Sequence, residues 1–87
     1  MKIENFPRDN REWIAQLTAL LQECFPQAYS GALAQQQADL CMEEDRIALM
    51  AEENGRLLGF VGAMPQYGVT AWELHPLAVT ADRREQG

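Results

Sequence analysis

An Asn-Gly pair between two apolar runs is the feature of this sequence that most restricts how the chain can fold. Asn54 and Gly55 follow the apolar run 47–51 and precede the apolar run 57–64. Both residues tolerate the positive φ that a two-residue hairpin turn requires, so the arrangement is a strong signal of an antiparallel hairpin. We therefore predict two paired strands in the middle of the chain. The first of them is expected to be covered on both faces, because its apolar run is continuous.

Further strands are predicted on either side of this hairpin. Residues 2–6 form a short apolar and polar stretch of strand length, and 69–79 is predicted as a third long strand after a turn at 65–68. Within the return strand of the hairpin, Gly59 and Gly62 indicate a bulge or a close approach of two backbones.

Two helices are predicted before the hairpin. Asp9 and Glu12 have the spacing of a capping box. The apolar residues that follow recur on one helical face, namely Trp13, Ile14, Leu17, Leu20, Leu21 and Cys24. Pro26 ends this helix. A second, weaker helix is predicted from about residue 30 to residue 42, with Leu33, Leu40 and Cys41 as its buried candidates. The order strand, helix, helix and three strands predicts an α+β fold with a mainly antiparallel sheet.

Size and charge limit the classes of function. The chain has 87 residues, with 7 basic and 13 acidic side chains and a net charge of -6, so one domain is the upper limit. The acidic balance argues against sequence-independent nucleic-acid binding. No apolar run approaches the roughly 18–20 residues of a membrane span, and the first residues lack the apolar stretch of a signal peptide. Because Cys24 and Cys41 have no metal-ligand spacing, we expect reduced thiols in a cytoplasmic protein that binds no metal.

A candidate site lies near the end of the predicted third strand. On a regular strand, Glu73 and His75 share one face with Leu77 and Val79. A carboxylate beside the only histidine of the chain could serve general base catalysis, although a Glu-x-His pair on a strand is more often a solvent-exposed face. Pro76 cannot donate to a sheet ladder, so we expect it at a bulge or an edge. A bulge there would free the Leu77 amide to point at a ligand oxygen.

The sequence ends in a basic stretch, Arg83-Arg84-Glu85-Gln86-Gly87. A basic turn that contains Gly and follows a strand is typical of the start of a phosphate-binding helix, where backbone amides and the helix dipole hold anions. Taken without other information, a terminal Arg pair is more often a solvated tail.

Two stretches together resemble a known family. The run Gly59-Phe60-Val61-Gly62-Ala63-Met64-Pro65-Gln66-Tyr67-Gly68, followed by Trp72-Glu73-Leu74-His75-Pro76-Leu77, resembles the aminoglycoside 6'-N-acetyltransferases of the GNAT superfamily. The predicted order of elements is similar to the N-terminal half of the GNAT fold. We therefore expect residues 1–87 to form a single partial GNAT domain that is cut within the pyrophosphate-binding signature for acetyl-CoA.

The resemblance implies roles for individual residues. Glu73 matches the acidic residue near the attacking amine, a candidate general base or water-positioning group, and His75 matches the polar residue beside it. Leu77 matches the position whose backbone N–H polarises the thioester carbonyl, and Leu77 and Val79 would pair with the pantetheine arm of acetyl-CoA. Residues 84–87 match the first four positions of the signature Arg/Gln-x-x-Gly-x-Gly/Ala, which makes three residues candidates for binding acetyl-CoA: Arg84, Gln86 and Gly87.

Two aromatic residues are candidates for binding the acceptor amine. Tyr67 lies at a predicted turn, where it could stack on a sugar or cap the hairpin, and the second interpretation is favoured. Trp13 lies on the apolar helix stripe and is expected in the core, although in the family that the chain resembles the first helices also line the acceptor site.

The resemblance implies an enzyme that transfers acetyl from acetyl-CoA to an amine of an aminoglycoside, a reaction that confers antibiotic resistance. We expect the protein to be cytoplasmic, as its cysteines indicate, and to be a homodimer because the predicted sheet is incomplete. We expect the 87 residues alone to be inactive, because the rest of the signature and the tyrosine that protonates the leaving thiolate are not among them. Two alternatives stay open. One is a non-catalytic half-domain that self-associates through its open sheet edge. The other is a GNAT enzyme that acts on a polyamine or a protein amine. Neither a nucleic acid nor a membrane is expected as a partner.

Overall fold

The computed structural model describes residues 1–65 and 72–82, with only the backbone for residue 65 and for 72–75. Two helices and four strands follow one another in the order β-α-α-β-β-β. In chain order they are β1 (Lys2–Asn5), α1 (Arg11–Cys24), α2 (Leu33–Cys41), β2 (Ile47–Glu53), β3 (Arg56–Pro65) and β4 (Trp72–Val79). The four strands form one sheet in the order β1-β2-β3-β4, and each neighbouring pair is antiparallel. The predicted fold class is confirmed.

The Asn-Gly turn joins β2 to β3 as predicted. Asn54 has a φ of 53° and Gly55 a φ of 79°, which are the positive values that a two-residue hairpin turn of this kind requires. The flanking residues Glu53 and Arg56 are paired. The Glu52 carboxylate also accepts a hydrogen bond from the Gly55 N–H at 3.3 Å, so a side chain supports the turn from within the hairpin.

Both predicted irregularities of the sheet are present. Ala51 pairs with Gly59 and Glu52 with Leu57. Leu58, next to Gly59, is therefore an extra residue of β3 at this point. On the other side of β3 the register shifts between residues 61 and 63. There two residues of β4, 75 and 76, oppose Gly62 alone, which is the defining count of a bulge. Proline was expected at such a position because it cannot donate to the ladder.

The N-terminal cap of α1 corrects the prediction by one residue. Asn10, not Asp9, is the N-cap, and its side-chain oxygen accepts from the N–H groups of Glu12 at 3.0 Å and Trp13 at 3.2 Å. Asp and Asn cap equally well, so the extended backbone at Asn10 decides between them. The helix ends at Cys24, before Pro26, as predicted.

The buried face of α2 also differs from the prediction. The helix is shorter than expected, and Leu33 and Leu40 are 48% and 43% exposed. The residues that face the core are Ala34, Ala38 and Cys41. Small side chains let α2 approach α1 closely, because interhelical distance depends on the side chains at the contact.

The core fills the space between the helices and one face of the sheet. Leu17, Leu20 and Leu21 of α1 are at most 5% exposed. Phe6 and Phe60 meet edge to face beneath the helices, with ring centroids 5.4 Å apart and planes at 89°, a favoured aromatic geometry. Over the stretches 1–65 and 72–82, no helix has both the length and the apolar character needed to cross a membrane.

Candidate functional site

Along β4, the backbone N–H and C=O groups of successive residues point alternately towards β3 and away from it. The Thr80 N–H donates to the Leu58 carbonyl of β3 at 2.9 Å. Because backbone groups alternate direction along a strand, the N–H and C=O of Leu77 and Val79 point away from β3. The Cys24 thiol donates to the Val79 carbonyl at 3.3 Å, which agrees with this direction. In the part of the chain that is described, β4 is the last strand of the sheet on this side.

The side chains of Leu77 and Val79 share the face of the sheet that is turned away from the helices. Leu77 is 63% exposed, whereas its neighbour Pro76 is fully buried on the helix side. The open face forms an apolar groove of about 220 Å³ to which all four strands contribute. Its lining includes Ile3, Leu49, Val61, Leu77 and Val79. The prediction that Leu77 and Val79 share a face is confirmed.

The bulge interrupts the alternation on which the shared face of Glu73 and Leu77 was predicted. Glu73 pairs with Met64 and Leu77 with Val61, and these two partners are three residues apart on β3. The backbone of His75 lies within the bulge. The side chains of Glu73 and His75 fall outside the described residues, so their common orientation towards an acceptor stays a prediction.

The remaining predicted site residues divide into two groups. Trp13 is half-buried in the first turns of α1 and packs against the core cluster, which agrees with the core interpretation. The others, Tyr67, Arg84, Gln86 and Gly87, lie outside the described residues, and their roles stay predictions.

Two side chains that the sequence analysis did not identify hold the residues just after β4. The Ala81 N–H donates to Glu23 Oε2 at 3.2 Å. Arg56 contacts Asp82 through two parallel bonds, Nη1 to Oδ2 at 3.2 Å and Nη2 to Oδ1 at 3.3 Å. We call the contacts of Glu23 and Arg56 with residues 81 and 82 the exit clamp. The partners are 58 and 26 residues apart in the sequence, so no local motif marks them.

The charges of Arg56 and Asp82 favour their contact in the exit clamp. The Thr80 hydroxyl and the Arg56 guanidinium lower the pKa of the Asp82 carboxyl, because both stabilise its charged form. The carboxylate is therefore ionised at neutral pH and available to the guanidinium. Arg56 and Asp82 remain 57% and 54% exposed, so water and salt screen the pair.

The buried cysteine Cys41 does not have the features of a nucleophile. Both cysteines are free thiols, with Cys24 half-buried and Cys41 buried. Burial raises the pKa of the Cys41 thiol, and hydrogen bonding from Gln37 and the charge of Arg46 oppose this only in part. Since the thiolate is the reactive form, Cys41 is poorly nucleophilic at neutral pH.

A comparison with known protein families matches residues 14–87 to the acetyltransferase (GNAT) family. The chain belongs to this family. No match was found among curated protein sequences. The GNAT assignment agrees with the observed order of helices and strands and with the resemblance carried by residues 59–68 and 72–77.

Solved structures identify the branch of the GNAT family to which the chain is similar. An aminoglycoside 6'-N-acetyltransferase complexed with coenzyme A is 41% identical over 99% of this chain, with a TM-score of 0.91. The aminoglycoside 6'-acetyltransferase type Ii is 40% identical over 99% of the chain, with a TM-score of 0.88. The aminoglycoside 6'-N-acetyltransferase from Enterococcus faecium is 41% identical over 99%, with a TM-score of 0.88. The matches cover 47%, 56% and 48% of those proteins, so this chain spans about half their length.

Proposed function

We propose that the native polypeptide containing this sequence transfers the acetyl group of acetyl-CoA to an amine of an aminoglycoside. Three similar structures at 40–41% identity are aminoglycoside 6'-acetylating enzymes, and one of them was solved with coenzyme A. The structural observation that carries the proposal is the bulge in β4, which turns the Leu77 N–H away from the sheet ladder.

The donor side of the proposed site uses backbone groups. The Leu77 N–H would donate to the thioester carbonyl oxygen of acetyl-CoA, on which negative charge develops as the amine attacks. The edge-facing groups of Leu77 and Val79 would pair with the amides of the pantetheine arm as a neighbouring strand would. Arg84, Gln86 and Gly87 would hold the pyrophosphate. A fixed backbone donor suits this task because it needs no reorganisation during the reaction.

The acceptor side depends on Glu73 and His75. An aminoglycoside amine is protonated at neutral pH and must lose a proton before its lone pair can attack the carbonyl carbon. We assign Glu73 to accept that proton, directly or through a water molecule, with His75 assisting beside it. The neutral amine then attacks the carbonyl carbon and the C–N bond forms. As the C–S bond breaks, the nitrogen loses its second proton and the thiolate of coenzyme A takes up that proton. Tyr67 and Trp13 are assigned to contact the acceptor, and the net charge of -6 favours a cationic substrate.

The proposal is tested by measuring acetyl transfer with a matched set of acceptors. The native polypeptide is incubated with acetyl-CoA and an aminoglycoside that has a 6'-amine, and in parallel with one that has a 6'-hydroxyl. A polyamine and a peptide with a free N-terminal amine are the further acceptors. We expect turnover with the 6'-amine alone. Preference for the polyamine or the peptide would instead support the alternative GNAT activities, and no acetylation of any acceptor would refute the proposal.

A second arm tests the acceptor-side assignments. Glu73→Gln keeps the size of the side chain but removes the proton acceptor, and we expect kcat to fall by about 100- to 10,000-fold. Expression of the wild-type polypeptide in a susceptible bacterium should raise the inhibitory concentration of 6'-amino aminoglycosides. Expression of the Glu73→Gln variant should not.

A further inference from the structure

The exit clamp lies where β4 ends and where the predicted pyrophosphate-binding residues begin. The clamp holds residues 81 and 82, two positions before Arg84 in the sequence. Its two sides come from different elements, because Glu23 lies in the last turn of α1 and Arg56 follows the turn between β2 and β3. The position of the chain at this point is therefore set by side chains of α1 and β3, in addition to the ladder of β4.

The hairpin that carries Arg56 is itself fastened to α1. Gln16 donates from Nε2 to the Gly55 carbonyl at 3.0 Å and accepts from the Leu57 N–H at 2.8 Å. The side-chain amide thereby occupies the backbone groups on both sides of Arg56, as a strand partner would. The backbone on both sides of Arg56 is thus held by α1, the helix that also carries Glu23. The two contacts of the exit clamp are therefore connected through α1.

We infer that Glu23 and Arg56 are positioning residues for acetyl-CoA, which they help to bind by fixing the chain at residues 81 and 82. The inference rests on the proposed function. Neither residue is placed in contact with the acetyl group or the acceptor. When the residues that lead into a binding stretch are already held in place, less conformational entropy is lost on binding the ligand, so the affinity is higher.

The clamp has features that suit positioning better than folding stability. Arg56 and Asp82 are more than half exposed, and exposed ion pairs contribute little to the stability of a fold. Glu23 is also exposed, so its replacement leaves no cavity in the core. Variants at Glu23 and Arg56 are therefore expected to fold, which allows the binding of acetyl-CoA to be measured directly.

The Glu23 variants separate positioning from charge. Glu23→Ala removes the acceptor for the Ala81 N–H, whereas Glu23→Gln removes the charge and keeps an acceptor oxygen. By calorimetric titration of the native polypeptide, we expect Glu23→Ala to raise the Kd for acetyl-CoA by about 3- to 10-fold, the effect of one lost hydrogen bond. Glu23→Gln should stay within about 2-fold of the wild type. Glu44→Ala, which removes an exposed carboxylate from the loop before β2, is the matched control.

The Arg56 variants test the other side of the clamp. Arg56→Gln should raise the Kd for acetyl-CoA by about 2- to 5-fold in low salt, and by less in high salt, because the exposed pair is screened. Arg56→Lys keeps the charge but cannot form two parallel bonds to Asp82, so an intermediate Kd is expected. The KM for the aminoglycoside should not change in any of these variants.

Hydrogen exchange supplies a readout that is independent of ligand. The amide of Ala81 should exchange several-fold faster in Glu23→Ala than in the wild type or in Glu23→Gln, because its acceptor is lost. Acetyl-CoA binding that both Glu23→Ala and Arg56→Gln leave unchanged would overturn this inference alone. Tighter binding in both Glu23→Ala and Glu23→Gln would also overturn it, because repulsion of the phosphates would then be the effect of Glu23. A wild-type polypeptide that binds no acetyl-CoA would overturn the proposed function and this inference together.

Discussion

Replacing Leu77 by proline tests whether its N–H is the donor of the site. Proline removes the N–H of the residue and fixes its φ at about −65°. Because that N–H faces the edge of β4 that points away from β3, Leu77→Pro should break no bond of the sheet ladder. Proline is tolerated in edge strands for this reason. The preceding residue, Pro76, already has to be extended in a strand, which is the conformation that a following proline requires.

The expected changes in the free energy of unfolding follow from the side-chain exposure and the N–H direction of two neighbouring residues, Leu77 and Ala78. Leu77 is 63% exposed, so Leu77→Pro loses little burial, and the free energy of unfolding should change by no more than about 1 kcal/mol. Ala78 is 2% exposed, and by the same alternation its N–H faces β3. Ala78→Pro should therefore lower the free energy of unfolding by about 3 kcal/mol or more. Urea unfolding followed by circular dichroism measures both values.

The activity assay should show that Leu77→Pro impairs catalysis even though it leaves the fold stable. Loss of one such donor costs about 100- to 1,000-fold in kcat, so Leu77→Pro should be stably folded and nearly inactive. Leu77→Ala keeps the N–H and should retain most of the activity, which controls for the loss of the side chain. If Leu77→Pro were destabilised as strongly as Ala78→Pro, the edge-facing direction assigned to Leu77 would be wrong. Full activity in Leu77→Pro would refute its role as donor.

Three further predictions concern stability. Asn10→Ala should lower the free energy of unfolding by about 0.5–2 kcal/mol, and Asp9→Ala by less than about 0.5 kcal/mol, because the structure has Asn10 as the cap; urea unfolding of both variants decides this. Gly55→Ala should cost about 1 kcal/mol in the same assay, since an added Cβ meets nothing within 4 Å and only the positive φ opposes it. Burial raises the pKa of Cys41, so the unfolded chain loses the thiol proton first as the pH rises. The free energy of unfolding should therefore fall above the ordinary thiol pKa, and a series of unfolding curves at alkaline pH that stayed level would contradict this.

The local features of the fold could be predicted from sequence because their causes lie in neighbouring residues. The hairpin depends on the φ preferences of Asn54 and Gly55, and the end of α1 depends on Pro26. The bulge in β4 depends on the missing N–H of Pro76. In each case one or two residues decide the backbone conformation whatever packs against them.

The face that α2 buries could not be predicted in the same way. Leucines at 33 and 40 are the more hydrophobic choice, yet Ala34 and Ala38 face the core. Hydrophobicity ranks residues by the gain on burial, whereas a close helix contact selects them by size. Whether hydrophobicity or size decides depends on the distance between α1 and α2. The sequence of α2 alone does not determine this distance.

The site shows a further limit of sequence reasoning. The bulge at Pro76 was expected, but the shared face of Glu73 and Leu77 was derived from a regular strand, and one extra residue between them breaks that regularity. The exit clamp is harder still to predict, since the Glu23 contact joins residues 58 positions apart. Glutamate and arginine are common on surfaces, and only the fold distinguishes these two from the others.

The extra residue in the bulge decides which backbone groups of β4 are available to a ligand. Phe60 pairs with Ala78 and Val61 with Leu77. Without the extra residue, every later residue of β4 would shift by one, and Leu77 would stand opposite Phe60, with its N–H directed into the ladder instead of towards the edge. The same shift would move Val79 and the residues of the exit clamp. A single proline-containing bulge therefore sets both the proposed donor at Leu77 and the position at which the chain leaves the sheet towards the predicted phosphate-binding residues.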